Sequence, residues 1–305
     1  MINKINIRQL LPIIGLVAIT ILFNILTQGR LLQYWGLTLS QVHILILSSM
    51  GVFFIMTMGS LDFSQGSILG ISSIVISVLS PISIPLAIVA GVVAGALIGA
   101  INGYFSVFRR LQSFIVTICT MFLFRGVIKL FTSKAPIPCT LDMINLDSYA
   151  LRITVLLIVC VIFFIIFSKT KFGVQLKAIG SGEKAARFSG VKIEKVKFFV
   201  FVLAGALTGL AAFFNVIKVG SVTSSAGNQL ETQILIALVL GGMPISGGAK
   251  VRFQNIIVGS FLFVILNSGL SMMGISTQVL QLIEGAIFLI FVAVFADRKF
   301  LHIIK

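Results

Sequence analysis

Apolar runs of about twenty residues recur along the whole chain, and they constrain the fold more than any other feature. An apolar helix of that length matches the hydrocarbon core of a bilayer, which is about 30 Å thick. Hydrophobic residues form 58% of the 305 residues and charged residues only 10%, against roughly 25% charged in soluble domains. The chain is therefore predicted to be an all-α polytopic membrane protein.

The runs predict about ten transmembrane helices within a single domain, 1–305. Their approximate bounds are 10–28, 41–59, 67–80, 83–106, 113–132, 151–168, 198–217, 230–248, 254–273 and 277–296. No small-residue cleavage site follows the first run, so we expect an anchor helix there rather than a secretory signal.

The positions of lysine and arginine predict the orientation of these helices. Basic residues concentrate in the cytoplasmic loops of membrane proteins, and the net charge of this chain is +15. With both termini in the cytoplasm, most of the 23 basic residues fall on that side. The basic stretches concerned are 1–9, 107–112, 169–197, 249–253 and 297–305.

A few charged residues lie within or beside the apolar runs: Asp62, Arg125, Lys129, Glu231 and Glu284. A charge at the centre of a bilayer costs roughly 2.5–3.5 kcal/mol on insertion scales, so it normally faces a cavity or a partner. Arg125 can pair with a carboxylate such as Glu231 or Glu284, bind helix C-terminal carbonyls, or line a solute pathway. Lys129 can extend its ammonium to the membrane surface.

Polar side chains within the runs are candidates for a solute path. The set comprises Asp62, Ser64, Asn102, Thr117, Arg125, Glu231 and Asn267, with Ser67 and Thr120 as further hydroxyls. A path of hydroxyl and amide groups suits a neutral polyhydroxylated solute better than an ion, which calls for rings of charge or of carbonyls.

Glycines recur every four residues in the run 83–106, at Gly91, Gly95, Gly99 and Gly103. This spacing places them along one side of a helix, where a neighbouring backbone can approach closely. Gly205 and Gly209 repeat the pattern in the run 198–217. The pattern predicts helix packing, either within one chain or at a moving or dimeric interface.

The long basic segment 169–197 contains a predicted short helix at Glu183–Phe188. Gly180-Ser181-Gly182 precedes it as a break. Glu183 suits a helix N-terminus, and Gly190 ends the helix. Two interpretations remain open. The short helix could be the contact through which a cytoplasmic partner moves the membrane domain, or the segment could be a basic loop that binds anionic lipid.

Patterns typical of catalysis do not occur in the sequence. It lacks G-x-x-x-x-G-K-[ST], G-x-S-x-G and H-E-x-x-H, so nucleotide binding, serine hydrolysis and zinc proteolysis have no signature here. His43 and His302 are far apart, and the three cysteines do not have metal-ligand spacing. We expect no enzyme activity, no cofactor and no metal site.

Four ordered stretches resemble the permeases of ribose-type ATP-binding cassette importers. The first, Ser60-Leu61-Asp62-Phe63-Ser64-Gln65-Gly66-Ser67, is similar to the family's G-I-D-L-S-V-G-S. The second begins with Asn102-Gly103 and continues from Phe114-Ile115 to Arg125-Gly126. The third runs from Gly173 through Ala178-Ile179-Gly180 to Gly190-Val191. The last begins with Leu240-Gly241-Gly242, ends at Gly274 and includes Leu266-Asn267-Ser268-Gly269-Leu270.

The resemblance implies a transporter subunit of a bacterial cytoplasmic membrane that does not hydrolyse ATP itself. It implies ATPase subunits in the cytoplasm, a second permease subunit, identical or paralogous, and an extracytoplasmic solute-binding protein. The family's coupling segment maps onto 169–197, with Gly182, Glu183, Lys184, Ala185, Ala186, Arg187, Phe188 and Gly190 as the coupling residues. The implied cargo is a monosaccharide such as ribose, crossing in a cavity centred on the dimer.

Other cargoes and mechanisms remain as alternatives. Autoinducer-2 or a nucleoside suits the same transporter class. The sequence departs from the family pattern at Gln233, where an acidic residue is usual, and at Cys119, Glu284 and Met243-Pro244. A stand-alone secondary transporter could use Asp62, Glu231 or Glu284 as an ion-linked site. A membrane enzyme or a scaffold is the third class considered.

Overall fold

The computed structural model describes residues 7–295 of the chain, and helices dominate that range. Of the predicted cytoplasmic ends, 1–9 and 297–305, residues 1–6 and the whole of 297–305 lie outside the described residues. The helices are α1 Ile7–Leu26, α2 Arg30–Gln33, α3 Trp35–Thr57, α4 Gln65–Leu79, α5 Ile84–Gly103, α6 Ser113–Thr132, α7 Leu141–Asn145, α8 Tyr149–Lys169, α9 Lys171–Ser181, α10 Glu183–Phe188, α11 Ile193–Val219, α12 Leu230–Leu240, α13 Gln254–Met272 and α14 Thr277–Phe295. A π-helical turn, Tyr104–Phe108, extends α5.

Each of the ten predicted apolar runs overlaps one of these helices. Within the described range, six helices are long and apolar enough to cross a membrane: α3, α5 with its π-helical turn, α6, α8, α11 and α13. Shorter apolar helices occupy Pro12–Leu26, Gln65–Leu79, Leu230–Leu240 and Thr277–Ile290. The prediction of an all-α polytopic membrane protein is therefore confirmed.

The predicted span 230–248 is wrong, because α12 ends at Leu240 after 11 residues. At 1.5 Å per residue this helix is about 16 Å long, roughly half the hydrocarbon thickness. Gly241 and Gly242 end it. A Cβ on Gly241 would lie 2.0 Å from the carbonyl oxygen of Asn255, and Gly242 has a φ of +85°.

The segment 169–197 also contains more helix than predicted. Besides α10, which has the predicted bounds, α9 covers Lys171–Ser181 and α11 begins at Ile193. The four lysines of 169–184 suggested a loop, yet α9 buries Gly173, Leu176 and Ile179 on one face. An amphipathic helix thus follows α8 directly.

Close contact between α5 and α11 forms much of the core. A Cβ on Gly95 would lie 2.2 Å from the carbonyl oxygen of Gly205, and a Cβ on Gly205 would lie 2.1 Å from that of Gly95. Gly99 lies equally close to the carbonyl of Phe201, and Gly103 lies against the side chains of Phe198 and Phe201. The two backbones approach because side chains are absent between them.

The bundle has two ends, which are named here by their landmarks. At one end, called the α10 end, α9 and α10 pack against each other and against α11. At the opposite end, called the β1 end, a two-stranded antiparallel ladder pairs β1, Ile137–Pro138, with β2, Ser221–Val222. Since α11 runs from Ile193 to Val219, it connects the two ends.

Candidate functional site

Asp62, in the turn between α3 and α4, organises a buried polar cluster. Its Oδ1 accepts hydrogen bonds from the backbone N–H of Ser64 at 2.7 Å and from the Ser64 hydroxyl at 2.6 Å. Its Oδ2 accepts from Nε2 of Gln65 at 2.7 Å. All three residues are buried. The carboxylate therefore fixes the start of α4 through three short bonds.

This cluster reaches three further helices. The Asn102 side chain on α5 donates from Nδ2 to the Ser64 hydroxyl at 2.8 Å. The hydroxyl of Thr208 on α11 donates to Oε1 of Gln65. The backbone N–H of Phe63 donates to the Thr117 hydroxyl on α6 at 3.1 Å. Four of the predicted path residues, Asp62, Ser64, Asn102 and Thr117, thus meet in a buried cross-link between helices.

Arg125 and Glu231 form an ion pair between α6 and α12. One guanidinium nitrogen of Arg125, Nη2, lies 2.9 Å and 3.0 Å from the two oxygens of Glu231. The same nitrogen donates to the carbonyl of Gly227 at 3.1 Å. A Cβ on Gly66 would lie 2.1 Å from Oε2 of Glu231, so the pair also packs against the start of α4. Of the open possibilities for Arg125, pairing with Glu231 is the one the structure contains.

Glu284, the other carboxylate considered for Arg125, has a different partner. It is buried on α14 and accepts a hydrogen bond from Nδ2 of Asn267 on α13 at 2.5 Å. Asn267 is a predicted path residue, and its side chain oxygen stays available on the opposite side of the amide.

A polar cavity of about 370 Å³ opens near the β1 end, and we call it the amide pocket. Among the seven predicted path residues, Asn267 alone lines it. Sequence reasoning missed the other polar lining groups, although an amide within an apolar run could have signalled them. The lining residues are Gln41, Ile44, Leu45, Leu69, Asn215, Lys218, Ser225, Gly227, Asn228, Leu230, Gln233, Phe263, Val264 and Asn267.

The irregular segment 223–229 and the first turn of α12 form one wall of the amide pocket. Gly227 and Gln229 have φ values of +68° and +63°, which turn the chain into α12. No side chain caps the N-terminus of α12. In this turn the backbone N–H of Leu230 donates to the carbonyl of Gly227 at 3.3 Å, and that of Gln233 donates to the carbonyl of Gln229 at 3.0 Å, so the segment is tied to α12.

The α10 end contains the residues that the family resemblance assigns to coupling. Two ion pairs tie α10 to α11: Glu183 to Lys197 and Arg187 to Glu194, each at 2.6 Å. Ala186 is buried beneath the helix, whereas Phe188 is 91% exposed. Gly190, with a φ of +81°, ends the segment after α10. Lys184 and Ala185 are exposed. A short helix, tied to α11 by two ion pairs, thus presents the apolar side chain of Phe188 to solvent.

The α9 helix connects α10 to the rest of the bundle. A Cβ on Gly180 would lie 2.0 Å from the carbonyl of Thr57 and 2.7 Å from the backbone nitrogen of Gly248. The Ser181 hydroxyl accepts a hydrogen bond from the backbone N–H of Ala249 at 3.1 Å. The end of α3 and the segment before α13 are therefore in direct contact with the helix that leads into α10.

Within residues 7–295, no three His, Cys, Asp or Glu side chains cluster as a metal site would require. In the same range, the carboxylates of Asp62 and Glu284 accept hydrogen bonds from neutral side chains, and Glu231 pairs with Arg125. What the arrangement offers instead is a polar pocket near one end, a buried polar cross-link, and an exposed helix at the other end.

Comparisons with known proteins show which family the chain belongs to. Residues 34–292 match the family described as branched-chain amino acid transport system / permease component. The chain is 34% identical to the ribose import permease protein RbsC of Bacillus subtilis (strain 168) over 96% of this chain and 93% of that protein. It is 28% identical to RbsC of Escherichia coli (strain K12), with the same coverage. It is also 28% identical to the autoinducer 2 import system permease protein LsrC of Photorhabdus laumondii, over 91% of this chain. No solved structure matches it.

Proposed function

Because this chain belongs to the branched-chain amino acid transport system / permease component family, with ribose-type permeases among its relatives, we propose that it is the membrane subunit of an ATP-binding cassette importer for ribose. The observation that carries the proposal is the 34% identity to a ribose import permease over nearly the full length of both chains. The subunit contributes the membrane path, and its partners contribute the energy.

The polar groups of the amide pocket support a neutral sugar over an amino acid as cargo. Five amides line it, and each can both donate and accept a hydrogen bond, as a sugar hydroxyl does. An amino acid would also bring a positively charged ammonium close to Lys218, the charged side chain of the lining. The lining contains no carboxylate, and Glu231 nearby is paired with Arg125. Ribose therefore fits better than a branched-chain amino acid, with autoinducer-2 as the second choice.

We place the α10 end in the cytoplasm, where the basic residues concentrate, and the β1 end outside. In this arrangement ATPase subunits contact α10, a second permease subunit completes the membrane assembly, and a solute-binding protein delivers ribose to the β1 end. The bacterial cytoplasmic membrane is the compartment that such partners require. Packed helices have discrete alternative arrangements, so ATP-driven movement of α10 shifts the bundle between outward-open and inward-open states.

Reconstitution tests this proposal. The chain is placed in proteoliposomes with its cognate ATPase, the second permease subunit where one is encoded, and the solute-binding protein, and uptake of labelled ribose is measured. We expect ribose uptake only when ATP is supplied on the side of the membrane where the ATPase subunits lie. We expect uptake to stop when residues 183–188 are deleted. Uptake by the chain alone under a proton or sodium gradient would contradict the proposal and support secondary transport.

A further inference from the structure

A second cavity, of about 530 Å³, lies at the α10 end, where α1, α9, the segment after α12 and the start of α13 meet. Its polar lining consists of basic and amide residues: Lys177, Lys250, Arg252, Gln254 and Asn255. No described Asp or Glu lines it. We call this cavity the basic pocket. Its volume lies within the range of small-molecule sites, roughly 300–1,000 Å³, and the charge of its lining favours an anion.

Asn255 gives the basic pocket a buried polar group that the fold does not use. The residue is only 7% exposed, and its side chain makes no hydrogen bond to any other residue of the described range. A Cβ on Gly242, which also lines the pocket, would lie 4.0 Å from Nδ2 of Asn255. Buried amides are nearly always paired, because an unpaired one is costly. A polar occupant of the pocket would provide the missing partner.

The two lysines of the basic pocket have no carboxylate partner. Among the described residues, no carboxylate oxygen lies within 4.0 Å of the ammonium of Lys177 or Lys250. Lys177 is half-buried, and its Nζ lies 4.5 Å from the centre of the Phe167 ring, a contact that holds the ammonium in place. The dipoles of α12 and α13 oppose each other here, because one helix ends and the other begins at the pocket. The side chains therefore decide the charge.

An apolar surface leads away from the basic pocket along α1. Pro12 and Ile13 line the pocket. The exposed side chains of Ile13, Val17, Ile21 and Ile25 follow at intervals of four residues, which places them along one slowly winding stripe of the helix. This stripe is about 18 Å long at 1.5 Å per residue, which is slightly more than half the hydrocarbon thickness of about 30 Å. A lipid acyl chain within one leaflet covers that depth.

The stripe runs from the basic pocket into the bilayer, because α1 and α13 lie side by side in the same direction. A Cβ on Gly15 would lie 3.8 Å from the side chain of Leu262, and a Cβ on Gly269 would meet the ring of Phe23. Both helices therefore start at the α10 end and continue toward the β1 end. A ligand with a charged head and an apolar tail can contact the pocket and the stripe together.

We propose that the basic pocket binds the headgroup of an anionic phospholipid, with its phosphate near Lys177, Lys250 and Asn255 and an acyl chain along the α1 stripe. Phosphate oxygens accept hydrogen bonds from ammonium and amide N–H groups, and basic pockets between membrane helices bind anionic headgroups. A zwitterionic headgroup brings a cation next to the lysines, which disfavours it. A free phosphate leaves the stripe unused. This inference does not depend on the solute that the transporter carries.

Such a lipid contacts the part of the molecule that leads to α10. Lys177 belongs to α9, and Lys250 and Asn255 belong to the segment before α13 and to its first turn. The bound phosphate therefore links α9 to α13, next to the hydrogen bond between Ser181 and Ala249.

Native mass spectrometry of the full chain in detergent tests the site. Delipidated protein is titrated with phosphatidylglycerol or with phosphatidylcholine of the same acyl chains, and the bound fraction is measured. We expect phosphatidylglycerol to bind at least fivefold more tightly. Lys177→Gln combined with Lys250→Gln should weaken its binding at least fivefold. Lys171→Gln combined with Lys195→Gln, which removes the same charge at exposed positions outside the pocket, should change it by less than twofold.

Asn255→Leu separates lipid binding from folding. An amide without a partner does not stabilise the fold, so an apolar side chain of similar size should leave the unfolding temperature of lipid-free protein unchanged or raise it. Phosphatidylglycerol binding should fall at least threefold. A lower unfolding temperature would show that the amide serves the fold instead.

Three further outcomes would overturn the proposal. Equal weakening by the two lysine pairs would mean that general surface charge attracts the lipid. Equal affinity for phosphatidylcholine would exclude selection by charge. Displacement of phosphatidylglycerol by millimolar inorganic phosphate would identify a site for a soluble anion rather than for a lipid.

Discussion

At the scale of single residues, the Asp62 carboxylate shows how a charged group is kept at low cost within an apolar bundle. It receives three hydrogen bonds within 2.7 Å, and the groups that donate them are buried as well. A charge that is fully hydrogen-bonded loses less on leaving water than an isolated one. Asp62 therefore acts as a structural acceptor for the turn that starts α4.

Replacing Asp62 tests this role. Asp62→Ala leaves the Ser64 and Gln65 donors without an acceptor, and each buried orphan costs about 1–3 kcal/mol. We expect the free energy of unfolding to fall by about 3 kcal/mol or more, measured by thermal unfolding of the purified protein in detergent. Asp142→Ala removes an exposed carboxylate and should change stability by less than about 0.5 kcal/mol. Equal effects of the two variants would contradict the structural role.

The Arg125–Glu231 pair makes a second prediction, because a broken buried pair leaves one charge without a partner. We expect Arg125→Met or Glu231→Gln alone to destabilise the protein by about 3–5 kcal/mol. The double variant should lose much less than the sum of the two, in the same unfolding measurement. Arg187→Met, which breaks an exposed pair, should cost at most about 1 kcal/mol. Additive losses in the double variant would show that the two residues act independently.

Residue-level prediction from sequence identified these charges but not all their partners. Asp62, Arg125, Glu231 and Glu284 stand out because charges are rare in apolar runs. Their neighbours depend on which helices meet, and no local pattern encodes that. Most amides of the amide pocket were missed for the same reason, since Gln41 and Gln233 become neighbours only when α3 and α12 pack together.

At the scale of helices, the close glycine contacts between α5 and α11 predict that adding a single methyl group between them lowers the free energy of unfolding. Gly95→Ala places a Cβ against a backbone carbonyl that cannot move aside. We expect a loss of about 1–3 kcal/mol in unfolding free energy, as is typical of overpacking. Gly126→Ala, where nothing lies within 4 Å, should be neutral or stabilise by up to about 1 kcal/mol. A neutral Gly95→Ala would mean that the helices do not touch there.

The ion pairs on α10 predict that charge complementarity links this helix to α11. Lys197→Glu should repel Glu183 and lower ATP-driven uptake severalfold, while Glu183→Lys combined with Lys197→Glu should restore it. The readout is uptake per ATP hydrolysed, because a structural defect alone would lower expression instead. Lys195→Glu changes an exposed lysine nearby and should have little effect. If the double variant does not restore uptake per ATP hydrolysed, the Glu183–Lys197 pair has no part in coupling.

Helix boundaries were predictable where local signals are strong. The Gly182 break, Glu183 at the start and Gly190 after the end define α10, and its bounds match the prediction. The end of α12 was missed although Gly241-Gly242 and Pro244 are local signals for a helix end, because the span was drawn from the length of the apolar run. The backbone contact of Gly241 with Asn255, which stops the helix, is a tertiary one. Helix α9 was not predicted, because its lysines suggested a loop. Its buried residues, Gly173, Leu176 and Ile179, face the bundle, where α9 contacts α3.

At the scale of the whole molecule, the proposed orientation, with the α10 end in the cytoplasm, predicts which thiols a reagent outside the cell can reach. Single cysteines at Lys184→Cys and Ser224→Cys, in the chain without native cysteines, place exposed thiols at opposite ends of the bundle. We expect an impermeant maleimide to label Ser224→Cys in intact spheroplasts and Lys184→Cys only after permeabilisation. Labelling of Lys184→Cys from outside would reverse the orientation and with it the proposed ATPase contact.

The half-length of α12 has a consequence for biogenesis. A segment of 11 residues is too short to partition into lipid by itself, and the irregular 223–229 before it carries polar backbone that lipid cannot satisfy. The translocon must therefore release α12 into a nascent protein that already offers α3 and α4 as packing partners. A ribosome-stalled chain should shield α12 from protease only after α13 has emerged to cover it.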